Sequence, residues 1–115
     1  MTRQRVRESA WQRVVTDALT LHGWAWLHVH PLMTRSGEWR TPTSGSLARG
    51  WVDLLAVHPT RKQTLLIECK GARTAITPEQ RDVHDVLRQA GHDVLVLRPR
   101  DLPLLLDTLR GDTPT

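Results

Sequence analysis

The 115-residue sequence predicts an α/β fold, a small mixed sheet with helices on both faces, from three observations. A helical pattern is followed by three strand-like runs, a second helical pattern, a further apolar strand and a last helical pattern. The two middle runs, Trp51 to His58 (WVDLLAVH) and Gln63 to Lys70 (QTLLIECK), are apolar at nearly every position, as strands covered on both sides are. Finally, the helical stretch between Lys70 and Asp93 makes a βαβ crossover, which requires parallel strands and a right-handed connection. A chain of this length forms one core and one domain, residues 1–115.

Each element has its own signal. Arg5 to Leu21 reads as an amphipathic helix with Ala10, Val14, Ala18 and Leu21 inward, ended by His22-Gly23. Trp24 to His30 alternates as a strand does, and Trp11, Trp24 and Trp26 read as core residues. Pro31 to Gly50, rich in Gly, Ser, Thr, Pro and Arg, reads as a loop; one this long in a compact domain is usually functional or disordered, and it runs straight into Asp53. Pro59-Thr60-Arg61-Lys62 turns the central hairpin. Thr77-Pro78-Glu79-Gln80 has the form of a capping box, with Thr77 as N-cap and Pro78 as first helical residue. That helix runs to Ala90 with Val83, Val86, Leu87 and Ala90 inward, and Gly91 stops it. Asp93 to Arg98 is a strand, Asp101 to Leu109 a terminal helix, and Gly111 to Thr115 a disordered tail.

Composition narrows the functional classes. Hydrophobic residues at 39% and charged residues at 24% fit a soluble globular protein, with no run of the ~20 apolar residues a membrane span needs. The Arg-rich start lacks the apolar stretch of a secretory signal, so a cytoplasmic location is expected. One cysteine excludes an internal disulfide and a zinc knuckle. A net charge of +4 and a pI near 10.5 point to a polyanionic partner, with arginines gathered at Arg3, Arg5 and Arg7, at Arg35, Arg40 and Arg49, and at Arg98 and Arg100.

The chemistry concentrates in Gly50-Trp51-Val52-Asp53 and Glu68-Cys69-Lys70, where ionisable side chains interrupt apolar runs. Residues two apart on a strand share a face, so Glu68 and Lys70 point one way and Ile67 and Cys69 the other. If Asp53 shares their side, two carboxylates and an ammonium converge. Two carboxylates about 4 Å apart repel by roughly 4 kcal/mol at an effective dielectric near 20, and Lys70 can cancel only one of the charges. A divalent cation resolves that deficit and leaves net positive charge for a phosphodiester. Oxygen donors favour a hard ion such as Mg²⁺, and the Cys69 backbone carbonyl is a further candidate ligand. The competing reading is a metal-free cluster of Asp, Glu and Lys. His28 and His30 share a strand face but have no third zinc ligand; Cys69 reads as a buried apolar cysteine; and no glycine-rich phosphate loop is present.

The element order, with Asp53, the Glu68-x-Lys70 pair and Gln80 on the next helix, resembles the PD-(D/E)xK nuclease superfamily and its restriction-endonuclease-like αβββαβ core. Within it the chain is similar to a stand-alone, phage-type VRR-NUC domain, the virus-type replication and repair nuclease module. The likeness runs from Glu8 through Trp39-Arg40-Thr41-Pro42 and the Gly50 to Asp53 turn to Arg98-Pro99. Val52 stands where that family usually has proline, a position that shapes backbone and does not coordinate metal.

The resemblance implies that Asp53 and Glu68 bind Mg²⁺ or Mn²⁺ and that Lys70 orients or deprotonates the attacking water or stabilises the pentacovalent phosphate. Gln80 would hold Lys70 or a phosphate oxygen, beside its plainer capping role, and Glu8 would reach the metal through water or simply favour the helix dipole. The implied activity is Mg²⁺-dependent cleavage of DNA, structure-selective for Holliday junctions or other branched DNA in replication, recombination or repair. The chain's small footprint suits a homodimer, and Arg35, Arg40 and Arg49 are expected to contact phosphates as the long loop orders over substrate; a separately encoded helicase is the partner only in a third reading, that of a structural subunit needing it for targeting. The alternative class is a non-catalytic nucleic-acid-binding module whose metal site is idle.

Overall fold

The structure, a computed structural model, describes residues 3–29, 32–33, 35–40 and 44–111, with backbone alone at 3–6, 32–33 and 39–40. It is an α/β protein. Helix α1 (Arg3–Leu21) leads into strand β1 (Ala25–His28), a short ribbon of β2 (Leu32–Met33) and β3 (Trp39–Arg40), then β4 (Leu54–His58), β5 (Gln63–Cys69), α2 (Pro78–Gln89), β6 (Asp93–Leu97), a single 3₁₀ turn (Pro99–Asp101) and α3 (Leu102–Arg110).

The main sheet has the order β1-β4-β5-β6. β4 pairs antiparallel with β1 and β5, and β5 pairs parallel with β6 through the α2 crossover, so the sheet is mixed as expected. Helices cover both faces. On one, Trp11, Val15, Ala18 and Leu19 of α1 and Leu105 and Leu109 of α3 pack on Leu54, Ala56, Leu65, Ile67 and Leu97. On the other, Val83 and Leu87 of α2 pack on Val52, Leu66 and Val94. Each fully buried Leu or Ile contributes about 1.5–3 kcal/mol, so these two layers hold β4 and β5 rigid between them.

Several expectations are corrected. The buried stripe of α1 is Trp11, Val15, Ala18 and Leu19, whereas Ala10 is exposed and Val14 and Leu21 face solvent. The two stripes lie one residue apart on the helix, and the large Trp11 side chain decides between them, its Nε1–H donating to the Leu97 carbonyl at 2.9 Å. β1 is shorter than Trp24 to His30 and forms an edge, which leaves Leu27 59% exposed. Trp26, expected in the core, is 42% exposed and donates to Thr20 Oγ1. His30 lies outside the described residues. The expected loop from Pro31 contains the β2–β3 ribbon, Leu32 opposite Arg40 and Met33 opposite Trp39. On α2, Val86 and Ala90 are exposed and His84 is buried in their stead. Gly111 caps α3 in the left-handed conformation, φ 83°, while residues 112–115 lie outside the description. Among the described residues no helix is long and apolar enough to cross a membrane.

Candidate functional site

The two carboxylates meet where the β4–β5 ladder ends. Leu54 is opposite Ile67, so Asp53 and Glu68 lie one step beyond the last pair. Asp53 is just outside its strand. Its carbonyl accepts from Val29 N–H at 3.0 Å, extending the β1 side of the sheet, and its Oδ2 accepts from Cys69 N–H at 2.7 Å, replacing a ladder bond with a side chain. Because N–H and C=O of one strand residue point to the same side, the Cys69 carbonyl is also directed toward the Asp53 edge of β5.

Glu68 follows Leu66 on the α2 face and is only 2% exposed. Burial first, then a hydrogen bond to Asp53 and the Asp53 charge, push its carboxyl up to about 9; Lys70 opposes the rise and Glu8 adds to it. The repulsion anticipated from sequence is therefore present, and a proton on Glu68 relieves it. Lys70 follows β5 directly and is buried, its backbone N–H donating at 2.9 Å to the same Leu97 carbonyl that Trp11 holds. Among the described residues it forms no direct ion pair with Asp53 or Glu68. Cys69 belongs to the opposite core with Trp11 and Leu97, and burial pushes its thiol far above the ordinary range, which removes it as a nucleophile.

Glu8 is brought to the same end of the sheet. It lies one turn before Trp11 on α1, and Thr74 Oγ1 donates to its Oε1 at 2.6 Å. The turn carrying Thr74 is itself anchored by Arg98, whose Nη1 donates to the carbonyls of Gly71 and Thr74 at 2.6 and 2.8 Å. Arg98 thus serves the scaffold. Gln80 completes the predicted capping box: its Oε1 accepts from Thr77 N–H at 3.0 Å, and its own N–H donates to Thr77 Oγ1 at 3.1 Å. Its side-chain oxygen is committed to the cap. Gly50, φ 98°, brings the incoming chain against the same helix start; a Cβ there would overlap the Glu79 carbonyl and stand 2.8 Å from Gln80 N. That approach sets the path into Val52 and Asp53. Arg35 and Arg49 are exposed, Arg49 next to this contact, and the Arg40 side chain lies outside the described residues.

One site residue has no counterpart among those expected from sequence. His84 of α2 is 2% exposed, and its Nε2 is 3.6 Å from Glu68 Oε1. Both atoms are buried without a hydrogen-bond partner. Burial above all holds the imidazole below its ordinary range, so it is neutral at pH 7. A histidine four residues after Gln80, between Val83 and Leu87 on a helix, carries the inward signal, but a stripe drawn through apolar residues alone passes over it.

Among the described residues no group of three or more His, Cys, Asp or Glu side chains is gathered as a metal cage. A hard cation does not need one: Mg²⁺ keeps several waters and takes one or two carboxylates. The Glu68 carboxyl and the adjoining Asp53 carboxylate, two oxygen donors side by side, fit that donor set. Comparison of the chain with protein-family models, curated proteins and solved structures finds no match.

Proposed function

We propose that this chain is a Mg²⁺- or Mn²⁺-dependent DNA endonuclease built on a PD-(D/E)xK core of the VRR-NUC type. The observation that carries the reading is the Asp53–Glu68 carboxyl pair at the end of the sheet, half-buried Asp53 against buried Glu68, with Lys70 beside it. Burying Glu68 and Lys70 beside half-buried Asp53 costs several kcal/mol, and a purely structural cluster would offset it through direct ion pairs, which Lys70 makes with neither carboxylate. The order α1, β1, β4, β5, α2, β6 also supports the assignment, with the β2–β3 ribbon as an insertion.

In this reading Asp53, Glu68 and the Cys69 carbonyl hold the cation. When bound, the ion supplies positive charge to the phosphoryl oxygens and acidifies the attacking water. Lys70 orients that water or stabilises the charge developing on phosphorus. Glu8 acts from the outer edge, and Gln80 keeps the start of α2 in register with Gly50. Val52 is buried among Leu66, Val83 and Leu87, so it anchors the Asp53 backbone by packing where proline would do so by restricting φ. Branched DNA, cut by a homodimer presenting two sites, is the substrate class that suits so small and basic a domain.

The test is cleavage of four-way, nicked and linear DNA by the purified chain with Mg²⁺ or Mn²⁺. Cutting is expected, and it is expected to disappear in Asp53→Ala and in Lys70→Ala. Cutting that survives both substitutions ends the assignment.

A further inference from the structure

We propose that His84 is a positioning residue for Glu68: its imidazole donates Nε2–H to Glu68 Oε1 and so turns the other carboxylate oxygen toward Asp53 and the cation. The inference rests on the reading of Asp53 and Glu68 as cation ligands and adds a residue that neither the sequence motif nor the element order contains.

The geometry carries it. The two atoms face each other 3.6 Å apart, each buried and each without another partner. Buried polar atoms are rarely left unpaired, and an imidazole nitrogen and a carboxyl oxygen satisfy one another. The gap exceeds the usual N–H···O range by about 0.4 Å, the kind of slack that catalytic hydrogen bonds show before ligands bind. His84 is also held rigidly in place. Val83 and Leu87 on either side of it are packed against Leu66 and Val94, and the helix start is locked by the Thr77–Gln80 box and by Gly50. Carboxylates that ligate metals are themselves hydrogen-bonded by such outer groups, which fix which lone pair meets the ion. Direct ligation by His84 is disfavoured, because no three-residue set of His, Cys, Asp or Glu is gathered among the described residues.

The first measurement uses the full chain without metal, by ¹⁵N NMR of the imidazoles. His84 is expected as the neutral Nε2–H tautomer, with a resonance that moves in Glu68→Gln while that of His92 does not. A bare Nε2, or a resonance indifferent to Glu68→Gln, overturns the proposal. The second is calorimetric titration with Mn²⁺ in the absence of DNA: His84→Phe is expected to weaken binding about 10–100-fold and His84→Gln, which keeps an N–H donor, by no more than about threefold. Wild-type affinity in the Phe variant, or a folded Gln variant as weak as the Phe variant, contradicts it. Should the Phe variant not fold, the Gln variant and the wild-type spectrum still decide. If the wild type binds no Mn²⁺ yet the His84 resonance follows Glu68→Gln, the cation reading fails and the His84–Glu68 link stands.

Discussion

Asp53 Oδ2 accepts a 2.7 Å hydrogen bond from the backbone N–H of Cys69, the residue after Glu68. One side chain thereby closes the end of the β4–β5 ladder and sets its charge against the neighbouring carboxyl. The two roles separate by substitution. Asp53→Asn removes the charge and keeps an acceptor; Asp53→Ala removes both and leaves the Cys69 N–H unpaired. Urea unfolding is expected to find the Ala variant about 1–3 kcal/mol less stable than the Asn variant. Equal stability would show that the bond contributes nothing.

The pH dependence of stability follows from Glu68. Its folded value of about 9 lies above the ordinary 4.5, so the folded chain keeps a proton that the unfolded chain has released. The contribution is full below 4.5 and is lost as the pH rises through about 9. His84 has the opposite sign: its value is lowered from 6.5, so its contribution is present above 6.5 and fades as the pH falls. Between pH 7 and 9 the Glu68 effect therefore stands alone of the two. In a chelating buffer, stability is expected to fall there with a slope of at most about 1.4 kcal/mol per pH unit, and Glu68→Gln is expected to flatten it. A wild-type curve no steeper than that of Glu68→Gln would contradict the buried, protonated carboxyl.

Gly50 links the start of α2 to the approach of Asp53. At φ 98° an L side chain is strained by about 1–3 kcal/mol, and a Cβ would also overlap the Glu79 carbonyl. Gly50→Ala is expected to lower the unfolding free energy measured in urea by at least that strain and to impair Mn²⁺ binding, because Asp53 lies three residues on. Wild-type values for both would remove Gly50 from the account.

Phosphate binding by Arg35, Arg40 and Arg49 is tested by replacing all three with Gln. DNA affinity is expected to fall, and the slope of log affinity against log salt to become shallower by about 0.9 for each phosphate that an arginine no longer neutralises. An unchanged slope would refute the assignment. Arg98 is left out of that set, since its guanidinium is committed to the Gly71 and Thr74 carbonyls.

Much of this molecule is legible in the sequence, and the remainder is hidden for identifiable reasons. Apolar runs and turn residues locate the β4–β5 hairpin, and the Thr77 to Gln80 spacing locates the cap, because those signals are local. Strand alternation puts Glu68 and Lys70 on one face but leaves the side of Asp53 open; the β4–β5 register and the Asp53–Cys69 hydrogen bond decide it. The inner face of α1 does not follow from sequence either, since two stripes one residue apart compete and only the bulk of Trp11 chooses between them. Alternation in β1 does not distinguish an edge from a central strand, which is why the exposure of Trp26 and Leu27 is not evident from sequence. Strands as short as Leu32–Met33 and Trp39–Arg40 carry no period. Arg98 and His84 gain their roles from partners far along the chain, Gly71, Thr74 and Glu68, and no local pattern encodes such neighbours.

The central claim is that Asp53 and Glu68 together hold a divalent cation, and calorimetric titration of the metal-free chain with Mn²⁺ at neutral pH tests it most directly. The account predicts saturable binding of one ion per chain accompanied by release of a proton, since Glu68 must ionise to bind, with both signals abolished in Asp53→Ala and Glu68→Gln. Absence of binding in the wild type, or binding undiminished in those two variants, would contradict it.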